Sequence, residues 1–348
     1  MVIFYELVKI SILKMLVFNI QMSSKMNDFM VNLGKQLVET KGLAESTAAQ
    51  YLRTLFTLNK KLPFKNLAFL KQKAGIETQI AEYATSTQKS VLAAIVSVLG
   101  LMSDKTTYKS IHKYYYEKMM SKSKAERESE TSNMTEKQKD NWVSWKDVLD
   151  ICDKQRTKMA EYANKKVLTV HEYDHLLQTL ILSLYVSLQP RRNQDYLDMV
   201  IVKKWNEEMP QTINYLDLTG NQFIFNKYKT AKKYGQQIIA IPNDGPNPLM
   251  DVLTVYLKHH AAYKASKGKG SVPFLVAADG KPFTAVNSIT RVLNKVFGKK
   301  VGSSMLRHIF LSDKYDIAEM EKDATAMGHS VDEQKKYMKV DIPSLVVS

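Results

Sequence analysis

The spacing of hydrophobic residues between Met26 and Met120 is helical throughout. Apolar side chains recur three or four positions apart, as on one face of an amphipathic helix, and no stretch alternates as a half-buried strand would. Pro63 interrupts the first helical pattern, and a strongly apolar stretch runs from Val91 to Met102. The pattern predicts a compact helical domain over residues 26–120.

A change of character follows this domain. Residues 121–140 carry five basic and five acidic side chains and almost nothing apolar. Such a composition is typical of a solvated linker or an exposed helix. We place a charged linker at residues 121–141, between the helical domain and a second domain at 142–348.

The second domain combines helical and strand patterns, so its fold class is α+β. Apolar periodicity predicts helices over 144–164, 170–187, 193–204, 246–266, 286–298, 303–316 and 317–327. Between them, alternation predicts strands over Thr212–Leu218, Gln222–Asn226 and Gln236–Pro242, with Thr219-Gly220-Asn221 as a hairpin turn. We therefore expect a mainly helical chain with a small antiparallel sheet in the second domain.

Charge and cysteine usage narrow the partners and the compartment. The chain of 348 residues has a formal net charge of +15, which attracts polyanions, of which nucleic acid is the commonest. Cys152 is the only cysteine, which excludes an internal disulfide and a cysteine zinc cluster and suits a reducing, intracellular compartment.

The first 21 residues are largely apolar, but Lys9 and Lys14 break the run before it reaches the length of a membrane-spanning helix. The segment lacks the cleavage site of a signal peptide. An amphipathic surface helix and a leader upstream of a start at Met22 or Met26 both fit. We interpret residues 1–25 as a leader or peripheral segment and expect no membrane partner.

His171-Glu172-Tyr173-Asp174-His175 matches the H-E-x-x-H pattern, in which two imidazoles on one helix face bind zinc. A short pattern of this kind also arises by chance. Here it coincides with a predicted helix start, where Thr169 can act as the cap and acidic residues favour the helix dipole. No third ligand stands out downstream, so we expect no metal.

Two adjacent basic residues, Arg191 and Arg192, follow a buried apolar helix that ends at Leu188. Arginines in such a place are costly unless they meet an anion, and Asp195 is close enough in sequence to hold one of them. A surface salt bridge at a helix start is the alternative. Further on, Lys229 lies at the tip of a predicted hairpin, where a lysine can reach into a groove or simply favour solubility.

The last set of candidates lies near the C-terminus. Ser304, Arg307 and His308 lie on one predicted helix, followed by Gly328-His329-Ser330 and then by Tyr337, eight positions after His329. Each of these signals is weak alone. Together they occur in one order along one chain.

That order resembles the catalytic domain of tyrosine recombinases, the phage-type integrases, including versions carried by large DNA viruses and their satellites. The resemblance covers about 142–348. Arg192, rather than Arg191, matches the first arginine, because Asp195 and Tyr196 match its acidic and apolar followers. Lys229 matches the hairpin lysine, Arg307 the second arginine, His329 the histidine of the G-H-S box and Tyr337 the nucleophile.

The resemblance implies a two-domain clamp around double-stranded DNA and a site-specific recombinase or integrase that acts as a homotetramer assembled on DNA. It implies cleavage through a covalent 3′-phosphotyrosyl intermediate, which needs neither metal nor other cofactor. We accordingly expect an intracellular location at DNA, in the cytoplasm, the nucleus or a viral replication site.

One position departs from the family. A histidine usually lies three residues before the second arginine, where this chain has Ser304, which can hydrogen-bond a phosphate but cannot titrate near neutral pH. This departure keeps two alternatives open: a catalytically weakened DNA-binding relative, and a related strand-passing or hairpin-resolving enzyme.

Overall fold

The computed structural model describes residues 26–102, 106–129, 134–245, 248–268, 270–316, 319, 320 and 322. The described residues divide into two compact units, one ending at Ser129 and the other beginning at Met134. The chain is mostly helical, with one small mixed sheet. Among the described helices, none has the length and apolar character needed to cross a bilayer.

The first unit is built from helices. They are α1 (Asp28–Glu39), α2 (Glu45–Leu58), α3 (Lys73–Ala81), α4 (Thr85–Gly100) and α5 (Thr106–Ser129). The apolar faces form one core, in which Leu55, Ile95 and Tyr115 are fully buried. The Tyr115 hydroxyl donates to the Leu70 carbonyl at 2.9 Å, so a buried polar group is satisfied as burial requires.

The segment predicted as a linker contains helical structure at both ends. Helix α5 continues to Ser129, and α6 (Glu136–Asn141) begins at a Thr135 side chain that accepts a hydrogen bond from the Gln138 backbone. Side chains along α6 are largely exposed. The described part of the charged segment is therefore helical. It is exposed along α6, whereas along α5 Lys122 and Glu126 bond to Gln88 and Lys89 of α4.

The second unit surrounds one central helix. Its helices are α7 (Trp145–Ala160), α8 (Val170–Val186), α9 (Asn193–Leu197), α10 (Ala231–Tyr234), α11 (Leu249–His259), α12 (Ala261–Ser266), α13 (Asn287–Phe297) and α14 (Ser303–Lys314). Helix α8 packs against α7, α11 and α13, and every residue from Leu180 to Tyr185 is buried. This confirms the prediction of a buried apolar helix before the paired arginines.

The sheet of the second unit is mixed, so the expectation of an antiparallel sheet was wrong in one pair. Its strands are β1 (Val200–Val202), β2 (Tyr215–Asp217), β3 (Gln222–Phe225), β4 (Gln237–Ala240) and β5 (Val272–Pro273), in the order β4-β3-β2-β1-β5. The β1–β2 pair is parallel and the others are antiparallel. Strand β1 replaces the second half of the helix predicted over 193–204, because Val200 pairs with Tyr215.

The β2–β3 hairpin confirms the turn predicted at Thr219-Gly220-Asn221. The Asp217 carboxylate accepts the backbone N–H groups of Thr219 and Gly220, both at 3.1 Å. A Cβ atom on Gly220 would lie 2.5 Å from Asp217 Oδ2, so this close approach requires glycine. The turn places β3 in register with β2 and directs the chain toward the loop that carries Lys229.

Candidate active site

A buried tyrosine at the end of α8 joins two predicted site segments. The Tyr185 side chain is fully buried, and its hydroxyl donates to Asn193 Oδ1 at 2.7 Å. Asn193 is the first residue of α9 and directly follows Arg192. The Asn193 amide in turn donates to Thr290 Oγ1 on α13 at 2.8 Å. These bonds fix the turn that carries Arg192 against the helical core.

The same tyrosine reaches the helix that carries Arg307. Burial raises the pKa of Tyr185 well above 10, while a hydrogen bond with Ser303 and the positive charge of Arg307 act in the opposite direction. Ser303 is the first residue of α14, and Arg307 Nε donates to the Ser303 carbonyl at 3.3 Å. Tyr185 therefore contacts the helix starts beside both predicted catalytic arginines, and the structure brings Arg192 and Arg307 to the same end of α8.

Arg191 makes a different set of contacts from Arg192. Its Nε donates to Asp195 Oδ2 at 3.0 Å, and its Nη1 donates to Gln237 Oε1 at 2.7 Å. The guanidinium also lies over the Phe225 ring, 3.8 Å from the centroid, and 5.1 Å from the centroid of Tyr228. Only 13% of the Arg191 side chain is exposed, so the protein itself covers most of this cation.

Asp195 is buried beside both arginines. Burial raises its pKa above the ordinary value of 3.8, and the charges of Arg191 and Arg192 partly offset that effect. Oδ2 accepts from Arg191, whereas Oδ1 has no hydrogen-bond partner among the described residues. The Asp195 carboxylate, which favoured Arg192 in the sequence, therefore hydrogen-bonds Arg191. Asp195 acts on Arg192 in two other ways: through the charge of its carboxylate, and through its backbone N–H, which donates to the Arg192 carbonyl at 3.0 Å.

Lys229 lies in the connection between β3 and β4, and a buried asparagine holds the entrance of this loop. Asn214 Oδ1 accepts the backbone N–H groups of Asn226 and Lys227 at 2.8 and 2.7 Å. Its Nδ2 donates to the carbonyls of Asp195 and Lys227 at 2.8 and 2.9 Å. One side chain thus fastens the loop to α9, with every polar group satisfied.

The β3–β4 loop is strongly basic. It carries exposed Lys227, Lys229, Lys232 and Lys233 and no acidic residue between Phe225 and β4. The Lys227 ammonium lies 3.8 Å from Asp198 Oδ2, while exposed Tyr234 lies beneath the Lys233 ammonium. Lysines next to an exposed aromatic ring suit a phosphate backbone and the bases or sugars beside it.

The exposed face of α14 carries the remaining described candidates. Ser304 and His308 are exposed and Arg307 is half-buried, and positions three and four apart share a helix face. Ser304 therefore lies beside Arg307 with its hydroxyl open to solvent. His329 and Tyr337, and with them the leader at 1–25, lie outside the described residues.

The H-E-x-x-H pattern forms a helix start, as its alternative interpretation predicted. Thr169 caps α8, and its backbone and hydroxyl are reciprocally bonded to Glu172 in a capping box. Glu172 also pairs with Lys165, and these bonds lower its pKa to about 2. His171 is exposed, whereas His175 packs edge-on against Tyr162. The described residues contain no group of three or more side chains able to hold a metal.

No protein-family model, no curated protein and no solved structure matches this chain. The site residues themselves are therefore the only indication of function.

Sequence reasoning missed the residues that hold the site together. The sequence pattern places Tyr185 in an apolar helix and gives no sign of its hydrogen bond to Asn193. Nothing in the pattern distinguishes Asn193 from its neighbours, and the resemblance favours Arg192 over Arg191. Asn214 did carry a signal, because asparagine is disfavoured in strands and this one directly precedes β2. Its four hydrogen bonds account for its presence there.

Proposed function

We propose that this chain is a tyrosine-type DNA recombinase or integrase that cleaves and rejoins DNA through a covalent 3′-phosphotyrosyl intermediate. The observation that carries the proposal is the Tyr185 network, because it brings together two arginine-bearing helix starts that are more than 100 residues apart in sequence. The basic loop with Lys229 is fastened to the same α9 helix by Asn214. Two guanidinium groups and an ammonium group, if they meet at one phosphate, would suit a phosphodiester.

The proposed chemistry assigns one task to each group. The Tyr337 phenolic oxygen bonds to phosphorus while the bond from phosphorus to the 5′-oxygen breaks. Arg192 and Arg307 stabilise the extra negative charge on the non-bridging oxygens, and His329 hydrogen-bonds the same phosphate. The Lys229 ammonium gives a proton to the leaving 5′-oxygen. The phenolic proton passes to solvent, since Ser304 has no group that titrates near neutral pH.

The remaining parts of the proposal concern assembly. The helical unit would bind the duplex together with the second unit, as a clamp, and four copies would assemble on two duplexes. Contacts to phosphates would dominate the affinity, so binding should weaken steeply with salt.

The test must work without a known target sequence. The full chain is incubated with a pool of nicked duplexes whose central 30 or so base pairs are randomised, so that a cleaved strand loses a short fragment and cannot be rejoined. Covalent protein–DNA adducts are then isolated under denaturing conditions and sequenced. The proposal expects adducts from the unaltered protein and none from Tyr337→Phe.

Two other outcomes would change the conclusion. Duplex binding without any adduct would favour the catalytically weakened relative that Ser304 suggests, and would overturn the proposal of an enzyme. An adduct that persists in Tyr337→Phe would show that a different residue is the nucleophile.

A further inference from the structure

Arg191 and Arg192 are adjacent, but the guanidinium of Arg191 bonds to Asp195 and Gln237 of the protein itself. We infer that Arg191 is a positioning residue that sets the β3–β4 loop, and with it Lys229, against the turn that carries Arg192. The inference rests on the proposed function, and it concerns a residue to which the resemblance assigns no role.

The contacts of Arg191 span the two sides of this junction. Asp195, on α9, lies on the side of Arg192. Gln237 is the first residue of β4 and Phe225 the last residue of β3, so together they mark both ends of the loop. Tyr228, inside the loop, directly precedes Lys229. A single planar group therefore touches the entrance, the interior and the exit of the loop that carries the proposed acid.

The geometry also argues that Arg191 is not itself a phosphate ligand. Two of its nitrogens donate to protein oxygens, one face is covered by Phe225, and 13% of the side chain remains exposed. Arg192 has extended backbone angles, φ −79° and ψ 148°. These angles are close to those of polyproline II, which has three residues per turn, so neighbouring side chains point in different directions. Arg191 faces the sheet, and Arg192 therefore does not share its contacts.

Lysine cannot replace arginine in this role. An ammonium group can pair with Asp195, but it lacks the planar fork that reaches Gln237 and stacks on Phe225 at the same time. Arg191→Lys should therefore keep the charge beside the buried carboxylate and release the loop. Gln237→Ala provides a second variant, because it removes one loop contact and leaves the Arg191–Asp195 pair intact.

The experiment uses two forms of one duplex, a sequence captured by the unaltered protein in the adduct assay. One form is ordinary DNA. In the other, sulfur replaces the 5′-bridging oxygen of the scissile phosphate, so that a thiolate leaves. A thiol ionises far more readily than an alcohol, so cleavage of the second form needs no general acid. Initial rates of adduct formation are compared at saturating protein.

Three variants give the expected pattern. Lys229→Ala should lose about 10²–10⁴-fold on ordinary DNA, the usual contribution of a general acid, and recover on the sulfur form. Arg191→Lys should lose about 100-fold, as displacement by about 1 Å can cause, and should also recover on the sulfur form. Arg192→Gln should be slow on both forms, because its proposed task concerns the non-bridging oxygens.

The results separate this inference from the proposed function. If Arg191→Lys is equally slow on both forms, Arg191 acts on the phosphate or on DNA binding, and the positioning role is wrong. If Arg191→Lys and Gln237→Ala both cleave ordinary DNA at the unaltered rate, the loop needs no such support, and the inference again fails. If the unaltered protein forms no adduct with the randomised pool, the proposed function itself fails.

Discussion

Removing one buried oxygen atom tests the network that joins the two arginine-bearing helix starts. Tyr185→Phe deletes the hydroxyl that donates to Asn193 Oδ1 at 2.7 Å. Asn193 is 5% exposed, so water has little access to the acceptor that loses its partner. Leaving a buried acceptor unsatisfied costs about 1–3 kcal/mol. Because the ring stays in place, a large cavity does not add to this cost.

Tryptophan fluorescence can follow this change in the second unit alone. The chain has 3 tryptophans, Trp142, Trp145 and Trp205, and all lie in the unit that begins at Met134. In urea, with a denaturant slope of about 3 kcal/mol per molar, the expected loss lowers the midpoint by about 0.3–1 M with an unchanged slope. A loss of less than about 0.5 kcal/mol would be within the range of ordinary surface substitutions and would refute the reasoning.

A matched control separates stability from the arrangement of the site. Tyr215 is a buried residue, and its hydroxyl donates to the Pro210 carbonyl at 2.9 Å. This hydrogen bond is only partly shielded from solvent. Tyr215→Phe should cost about 1 kcal/mol and leave adduct formation unchanged. Tyr185→Phe should in addition slow adduct formation by roughly ten- to 100-fold, since small displacements of catalytic groups are costly. Equal slowing in both variants would show a general effect of lower stability.

Two further predictions concern the start of α8. The hydrogen-bonded Glu172 has a folded-state pKa of about 2, below its ordinary 4.5. Its ionised form therefore adds to the free energy of unfolding above pH 4.5, and this contribution is lost as the pH falls toward 2. The difference in the free energy of unfolding between the unaltered chain and Glu172→Gln, measured in urea, should narrow over this range, and a constant difference would contradict the lowered pKa of Glu172. The same bonds make the H-E-x-x-H pattern a poor zinc site. Protein dialysed after zinc loading should retain less than one equivalent by elemental analysis, and a stoichiometric content abolished by His171→Ala would contradict this.

The helices were predictable because their cause is local. Apolar periodicity and a capping threonine placed α8 within one residue of its observed end, and the turn residues placed the β2–β3 hairpin. Strand β1 was not predictable in the same way. Its three residues, Val200–Val202, continue an apolar run that suits a helix equally well, and pairing with Tyr215–Asp217 decides the outcome. Such a partner is not visible in the pattern of the strand itself.

The site was predictable only as a set of residue types in order. The order of Arg192, Lys229 and Arg307 indicated a chemistry, but the groups that position them depend on contacts between distant parts of the chain. Arg191 meets Gln237 across 46 positions and Asn193 meets Thr290 across 97. These contacts determine which polar side chain supports which neighbour.

The paired arginines show how such a contact changes an assignment. Spacing alone links Asp195 to either arginine, since it lies four positions after Arg191 and three after Arg192. Burying its carboxylate raises the pKa of Asp195, so the arrangement is tolerable only with a cation close by. Arg191 supplies that cation and joins the loop of Lys229 in the same contact. Asp195 Oδ1 has no hydrogen-bond partner among the described residues, and the charge of Arg192 also acts on this carboxylate. In the proposed function, Arg191 keeps the hydrogen bond to Asp195 while Arg192 meets the phosphate.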